Sequence, residues 1–182
     1  MDIGPSIRRF FINTLFDSTF TLLGVIVGSA FVAKPEIEVI LGTMITISLG
    51  LGISSGVSVY EAESLERERE VHELEKAMLT SLEDTQIMKS ARNITIIVAA
   101  VNLLTPFLVC ALYICPLAVA YAGIIGIKMA AWTSIAIALS TLMVTGVIVG
   151  RKGKENAILK GVKMAALGGI TFLIGYWIRL LL

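Results

Sequence analysis

Charge is missing from three long stretches of this sequence. Residues 39–60, 93–127 and 129–150 contain no Asp, Glu, Lys or Arg. Overall, 56% of the 182 residues are hydrophobic and 16% are charged, whereas soluble domains have about 45–50% apolar and about 25% charged residues. About 20 apolar helical residues cross the hydrocarbon core of a bilayer, which is roughly 30 Å thick. The uncharged stretches therefore indicate an integral membrane protein.

Cysteine and histidine are also scarce. The two cysteines, Cys110 and Cys115, lie in apolar sequence and do not make a disulfide framework. The single histidine, His72, is weak evidence for a metal site. The sequence has no phosphate-binding glycine loop and no hydrolytic triad pattern. We therefore expect no ATP-driven pump within this chain, no enzyme, no permanently bound cofactor and no nucleic-acid partner.

Long apolar runs in a bilayer are expected to be helical, because each backbone polar group must then be satisfied within its own segment. The sequence predicts an all-α integral membrane protein, a single membrane domain of residues 1–182 with five transmembrane helices. The predicted spans are residues 10–33, 37–60, 93–116, 128–150 and 160–182. Residues 116–127 contain Pro116, Gly123 and Gly126, so they either extend the third helix or lie at the membrane interface.

Residues 61–92 form a short acidic excursion between helices 2 and 3. They contain no Gly or Pro and consist largely of strong helix formers. They follow the second span without a helix breaker, so we expect that span to continue outside the membrane as one long helix. The segment is too short to bury a core of its own.

The basic residues predict the orientation of the chain, since cytoplasmic loops carry an excess of Lys and Arg. With a cytoplasmic N-terminus, 12 of the 15 Lys and Arg residues lie on the cytoplasmic side, as does the acidic excursion. The three that lie outside are Lys34, Lys128 and Arg179.

The first span contains an ionisable residue, Asp17, about 10 Å deep at about 1.5 Å of rise per residue. Such a residue is expensive in a membrane and usually faces a cavity, a partner or an ion path. Asn13, Asp17, Thr21, Gly24 and Gly28 recur at helical spacing, and the two glycines would let another helix approach closely. The alternative is a packing stripe whose aspartate reaches the interface.

The second span carries Ser54, Ser58 and Glu61 at positions i, i+4 and i+7, which share one helix face. Hard oxygen ligands of this kind suit a divalent cation. Serine hydroxyls bonded to backbone at a helix crossing are the alternative interpretation.

Glutamates are dense in the excursion, where residues 61–84 hold nine of the 14 acidic residues. Glu63, Glu66, Glu70 and Glu73 are spaced i, i+3, i+7 and i+10, so four carboxylates lie along one stripe beside His72. Like charges in line repel one another unless a cation lies among them. The stripe is therefore either a cytoplasmic metal site or a solvated helix face.

Four segments in this order resemble the vacuolar iron transporter family, which includes vacuolar iron and manganese carriers of yeast and plants and prokaryotic relatives. The segments are FDSTFTLLGVIVGSAF, GLGISSGVSVYEAESLERERE, NLLTPFLVCALYICP and MAALGGITFLIGYWIRLL. The resemblance implies a homodimer of five-helix subunits with cytoplasmic N-termini. It also implies a metal path lined by the first helices, and export of Fe²⁺ in exchange for protons.

The resemblance also implies roles for particular residues. Asp17 matches the metal-binding aspartate of the family's first helix. The cytoplasmic glutamates match the start of its metal-capture domain, with Met78 and Met88 as soft ligands. The chain departs from the family at Ser55, where the family has methionine, and at Val59, where it has an acid. The intramembrane site then uses Ser55, Ser58 or Glu61 instead, or prefers a harder ion such as Mn²⁺.

The expected function is export of a divalent transition metal by secondary transport, through the cell membrane in a prokaryote or the vacuolar membrane in a eukaryote. Two other functions remain open. One is a non-transporting membrane scaffold whose acidic helix docks a partner, and the other is a passive metal channel. Because the excursion is shorter than the family's metal-capture domain, the chain resembles a short, prokaryote-like member of the family.

The charge asymmetry predicts that residue 72 faces the cytoplasm. In a background without native cysteines, His72→Cys should resist a membrane-impermeant maleimide added outside intact cells. Lys34→Cys should react with it. Labelling of position 72 from the outer side alone would reverse the orientation.

Overall fold

In a computed structural model the chain forms five helices, and the structure describes residues 4–79, 85–151 and 156–181. The helices are α1 (Gly4–Ala30), α2 (Ile37–Met78), α3 (Gln86–Tyr121), α4 (Ile127–Arg151) and α5 (Ala157–Leu181). Each of them contains a segment long and apolar enough to cross a membrane. The prediction of an all-helical chain with five such helices is confirmed.

Helix α2 continues far beyond its predicted span. It has 42 residues, or roughly 63 Å at about 1.5 Å per residue, as the absence of Gly and Pro from residues 57–92 suggested. The helix ends where Leu79 adopts a left-handed conformation with φ of 53°, and its N–H donates to the carbonyl of Glu75. The described part of the acidic segment therefore belongs to the end of α2 and the start of α3.

The course of α3 shows which part of residues 116–127 extends the third helix. It continues through Pro116 to Tyr121, so the first part of this segment extends the third helix. Gly123 then turns the chain with φ of 76°, a conformation that glycine adopts without steric cost. The helix α4 begins at Ile127, after a short turn.

Helices α2 and α3 form a long antiparallel hairpin with close backbone contact near its middle. A Cβ atom added at Gly52 would lie 2.7 Å from the carbonyl oxygen of Leu103. A Cβ atom added at Gly56 would lie 2.9 Å from the Cβ of the same leucine. Two glycines one turn apart thus allow α2 to approach the backbone of α3, as small residues do in membrane helix pairs.

The main core lies among α1, α3, α4 and the start of α2 and is almost entirely apolar. Leu22 and Ile26 of α1 pack in the same cluster as Leu117 of α3. Tyr113, which is fully buried, supplies a polar link, because its hydroxyl lies 3.0 Å from the Thr19 hydroxyl. This link fixes the contact of α1 with α3 on the side of α1 away from Asp17.

An aromatic cluster closes the end of the bundle opposite the acidic end of α2. Phe31 makes edge-to-face contacts with Trp132 at 5.3 Å and Tyr176 at 6.1 Å between ring centroids. Phe172 stacks on Tyr176 at 6.0 Å. Trp and Tyr are enriched where a membrane meets water, so this end of the bundle has the composition of an interface.

Helix α5 is held against α4 through small residues. A Cβ atom added at Gly146 would lie 2.8 Å from the Cα of Gly161, and one added at Gly150 would lie 2.7 Å from the Cα of Ala157. A Cβ atom added at Gly161 would lie 2.8 Å from the carbonyl oxygen of Met143. Such contacts involve backbone, which cannot move aside as a flexible side chain can.

Gly161→Ala should therefore separate α4 from α5 and lower the free energy of unfolding by about 1–3 kcal/mol, as overpacking does. Thermal unfolding in detergent checks this as a lower Tm. Gly169→Ala is the matched control on the same helix, because no described atom lies within 4 Å of its added Cβ. That variant should be neutral or slightly stabilising, since alanine favours helix. Equal Tm values for the two variants would contradict the packing argument.

Candidate cation site between helices α1 and α2

A cavity of about 400 Å³ lies between the first half of α1 and the middle of α2. Its lining consists of Phe10, Asn13, Thr14, Asp17, Ser18, Leu51, Ser54, Ser55, Ser58, Val59 and Ala62. Seven of these side chains are polar, and Asp17 is the ionisable one. The cavity brings together five residues that the sequence suggested as ligands, namely Asp17, Asn13, Ser54, Ser55 and Ser58.

Glu61 is placed differently from these five. It is exposed and lies outside the lining of the cavity, whereas its neighbour Ala62 is part of that lining. A shared helix face was the reason for grouping Glu61 with Ser54 and Ser58. The residues of α2 that line the cavity are Leu51, Ser54, Ser55, Ser58, Val59 and Ala62, so the shared spacing did not bring Glu61 to it.

Asp17 lies at the open side of the cavity. Its carboxylate is exposed, and its Oδ2 atom accepts a weak hydrogen bond from the Asn13 amide at 3.4 Å. The exposed stripe continues along α1 through Thr21, Gly24 and Gly28. No described atom lies within 4 Å of a Cβ added at either glycine, so within one chain they pack against none of the described residues.

The inner wall of the cavity is held by a buried amide that sequence reasoning missed. Asn102 of α3 is fully buried, and its Oδ1 accepts a hydrogen bond of 2.7 Å from the Thr14 hydroxyl. The Ser55 hydroxyl lies within hydrogen-bond distance of two carbonyl oxygens, that of Asn102 at 3.1 Å and that of Gly52 at 3.2 Å. Asn102 thus joins α1, α2 and α3 behind the cavity. The sequence signal that could have identified Asn102 is its position as an amide within the uncharged stretch 93–127.

The acidic stripe on α2 contains its own cation, Arg67. Glu63 is 1% exposed, and its Oε1 accepts from Arg67 Nη2 at 2.7 Å and from Nε at 3.0 Å. Glu70 Oε2 accepts from Arg67 Nη1 at 2.9 Å. Burial alone would lower the pKa of the Arg67 guanidinium, but the bonds and charges of Glu63 and Glu70 raise it above its ordinary value. Arg67 therefore stays charged and neutralises the inner part of the stripe.

The remaining acids of the stripe point outward. Glu66 is exposed, and Glu73 makes an exposed ion pair with Arg69 at 3.3 Å. In the ranges 4–79, 85–151 and 156–181, no three His, Cys, Asp or Glu residues are grouped so that they could hold a metal ion. The four glutamates thus do not converge on one point within the described chain, and metal binding by Glu63, Glu66, Glu70 and Glu73 stays a prediction.

Three other residues that the sequence suggested as ligands lie apart from the cavity. His72 is exposed, with its Nδ1 atom 3.4 Å from Glu75 Oε2. Met78 is exposed at the end of α2. Met88 is half-buried and packs against Val71 and Ala91, where the hairpin of α2 and α3 narrows. None of the three lines the site around Asp17.

The buried ion pair predicts a large stability difference between two arginine substitutions. Arg67→Leu leaves the Glu63 carboxylate buried without its partner and should lower the free energy of unfolding by about 3 kcal/mol. Arg69→Leu removes an exposed pair and should cost at most about 1 kcal/mol. The double variant Glu63→Leu/Arg67→Leu should recover most of the loss. Thermal unfolding of the three variants checks this, and equal Tm values for Arg67→Leu and Arg69→Leu would contradict it.

Comparison with known proteins places the chain in a family. The sequence matches no model of a known protein family, and it matches no solved structure. The uncharacterized protein MJ0645 of Methanocaldococcus jannaschii is 30% identical to it over 170 residues, which cover 90% of this chain and 83% of that protein. Because the match spans most of both proteins, this chain belongs to the same protein family as MJ0645.

Proposed function

We propose that this protein is a secondary transporter that exports a divalent transition metal, Fe²⁺ or Mn²⁺, from the cytoplasm in exchange for protons. The observation that carries the proposal is the cavity between α1 and α2. It groups one carboxylate, from Asp17, with hydroxyl and amide oxygens inside helices that are otherwise apolar. Ionisable groups at such places mark functional sites, among them ion pathways and proton relays.

The chemistry of the lining suits a hard or borderline divalent cation. Its polar side chains offer carboxylate, amide and hydroxyl oxygens, from Asp17, Asn13 and residues such as Ser55 and Ser58. Mn²⁺ prefers oxygen donors of this kind, whereas softer ions prefer thiolate and thioether ligands. A volume of about 400 Å³ also leaves room for several waters at about 30 Å³ each. A partly hydrated ion therefore fits without a preformed cage of carboxylates.

The exposed face of α1 supports a homodimer. An exposed Asp17 carboxylate in contact with lipid would be costly, and Gly24 and Gly28 leave open space on the same face. A second copy of the chain, with its α1 against this α1, would cover both features. A two-fold interface repeats the same patch from each subunit, so the two Asp17 carboxylates would face a common path.

Two facing carboxylates also offer a route to proton exchange. Like charges at one site repel, so a proton held between the two Asp17 side chains would compensate their charge when no metal is bound. An arriving divalent cation would displace that proton. The exposed Glu66 and Glu73 would attract metal to the cytoplasmic end of this path, in the cell membrane if this protein, like its relative, is prokaryotic.

Asp17→Asn should abolish metal flux, because it keeps the size of the side chain and removes both its charge and its proton site. Proteoliposomes containing a metal-sensitive dye and a pH dye measure the loss, and crosslinking checks that the dimer still forms. Asp17→Glu should keep only part of the flux, because its additional methylene displaces the ligand oxygens. Glu38→Gln, an exposed acid in the first turn of α2, is the control and should transport normally.

The same assay separates the competing functions. Metal flux without proton movement would make the protein a passive channel. A wild-type chain that forms dimers and moves no metal would make it a scaffold, whose outward-facing glutamates dock a partner. Wild-type flux in Asp17→Asn liposomes would remove Asp17 from the mechanism.

A further inference from the structure

A proline in α3 leaves one backbone carbonyl without its helical donor. In an α-helix the N–H of each residue donates to the carbonyl four residues earlier. Pro106 lies inside α3 and has no N–H, so the carbonyl of Asn102 receives no bond from position 106. This carbonyl lies at the level of the cavity, because the Asn102 side chain bonds Thr14 in the cavity lining.

Ser55 occupies the position of the missing donor. Its hydroxyl lies 3.1 Å from the Asn102 carbonyl oxygen, and a second acceptor, the Gly52 carbonyl, lies at 3.2 Å. A serine side chain is short, so it reaches the backbone of another helix only where the two helices nearly touch. Gly52 and Gly56 provide that close approach on either side of Ser55.

The bond to Asn102 determines which part of the Ser55 hydroxyl faces the cavity. A hydroxyl has one proton to donate and two lone pairs that accept. The two acceptors within its reach are backbone carbonyls, that of Gly52 in α2 and that of Asn102 in α3. Because the helix supplies a backbone donor to Gly52 and Pro106 supplies none to Asn102, the Asn102 carbonyl is the acceptor with a vacancy, and the Ser55 lone pairs remain for the cavity. Thr14 and Ser18 follow the same rule, because they donate to Asn102 Oδ1 and to the Thr14 carbonyl, each at 2.7 Å. Three of the five hydroxyls in the lining thus present acceptors.

We propose that Pro106 is a positioning residue of the cation site: by freeing the Asn102 carbonyl it directs the Ser55 hydroxyl proton into α3 and the Ser55 lone pairs toward the ion. The inference rests on the proposed function, because it assigns a role within the same cavity. It extends that function because Pro106, which lies outside the lining, would contribute to the selectivity of the site for cations. The three oriented acceptors favour a cation over an anion at this wall of the cavity.

The same helix contains a matched control for this role. Pro116 is also internal to α3 and frees the carbonyl of Leu112 in the same way. Leu112 is exposed and lies away from the cavity. A general effect of proline on helix shape or stability would appear at both positions. An effect transmitted through Ser55 would appear only at Pro106.

The first experiment is a double-mutant cycle measured by Mn²⁺ titration calorimetry on the full chain in nanodiscs. Pro106→Ala restores the N–H of position 106, which competes with Ser55 for the Asn102 carbonyl. Loss of one oriented hydrogen bond should weaken Mn²⁺ binding about fivefold. In a Ser55→Ala background, Pro106→Ala should have no further effect, since residues that act through one another are not additive. Pro116→Ala should leave Mn²⁺ binding unchanged in both backgrounds.

The second experiment observes the carbonyl without metal. Asn102–Leu103 is the one Asn–Leu pair in the sequence, so ¹³C-carbonyl asparagine with ¹⁵N-leucine selects the Asn102 carbonyl by NMR. Ser55→Ala should move this resonance upfield in the wild-type background, because the carbonyl loses its donor. In Pro106→Ala the resonance should barely respond, because the N–H of residue 106 supplies a bond.

The outcomes separate this inference from the proposed function. Additive losses of Mn²⁺ affinity, an equal loss in Pro116→Ala, or a carbonyl that ignores Ser55→Ala would each overturn the role of Pro106. A wild-type chain that binds no divalent cation would overturn the proposed function instead. The carbonyl resonance would still decide in that case whether Pro106 directs Ser55 into α3.

Discussion

A polar group within a bilayer must find its partner inside the protein, because hydrocarbon offers none. In the part of the chain that the structure describes, every buried side-chain nitrogen or oxygen has a hydrogen-bond partner. Most hydroxyls meet the requirement locally, as Thr105 does by donating to the Val101 carbonyl. Four hydroxyls that bond across helices, those of Thr14, Thr19, Ser55 and Ser134, meet at Asn102 or Tyr113. Asp17 differs from all of these because its carboxylate is exposed, and the proposed function assigns it a cation and a second chain as partners.

Uncharged length and helix-forming composition were enough to predict the five helices and the continuation of α2, since both depend on local sequence. Asp17 and Asn13, and likewise Ser54 and Ser58, could be grouped in advance, because an acid is conspicuous in an apolar span and residues one turn apart share a helix face. Ser55 was suggested by the family resemblance alone. Asn102 could not be placed with them from one sequence. Its role depends on where α3 lies against α1 and α2, and on a carbonyl that Pro106 frees, which are properties of packing and not of periodicity.

The glutamates of α2 show that residues at helical spacing need not share one environment. Four carboxylates along one stripe suggested a missing cation, yet spacing does not reveal which side of a helix another helix covers. Glu63 is turned into the hairpin with α3, where Arg67 accompanies it, whereas Glu66 is exposed to solvent. One repeated residue type therefore serves a buried ion pair and an exposed acidic surface within two helical turns.

The central claim is that a divalent cation binds directly to Asp17. Asp17 is one of three aspartates, with Asp2 and Asp84, so replacing those two by glutamate leaves Asp17 as the one position labelled by ¹³C-carboxyl aspartate. Electron–nuclear double resonance on the Mn²⁺-loaded protein then detects the contact between metal and carboxylate. The account predicts a resolved ¹³C coupling to the bound Mn²⁺. Bound Mn²⁺ without a ¹³C coupling would contradict it.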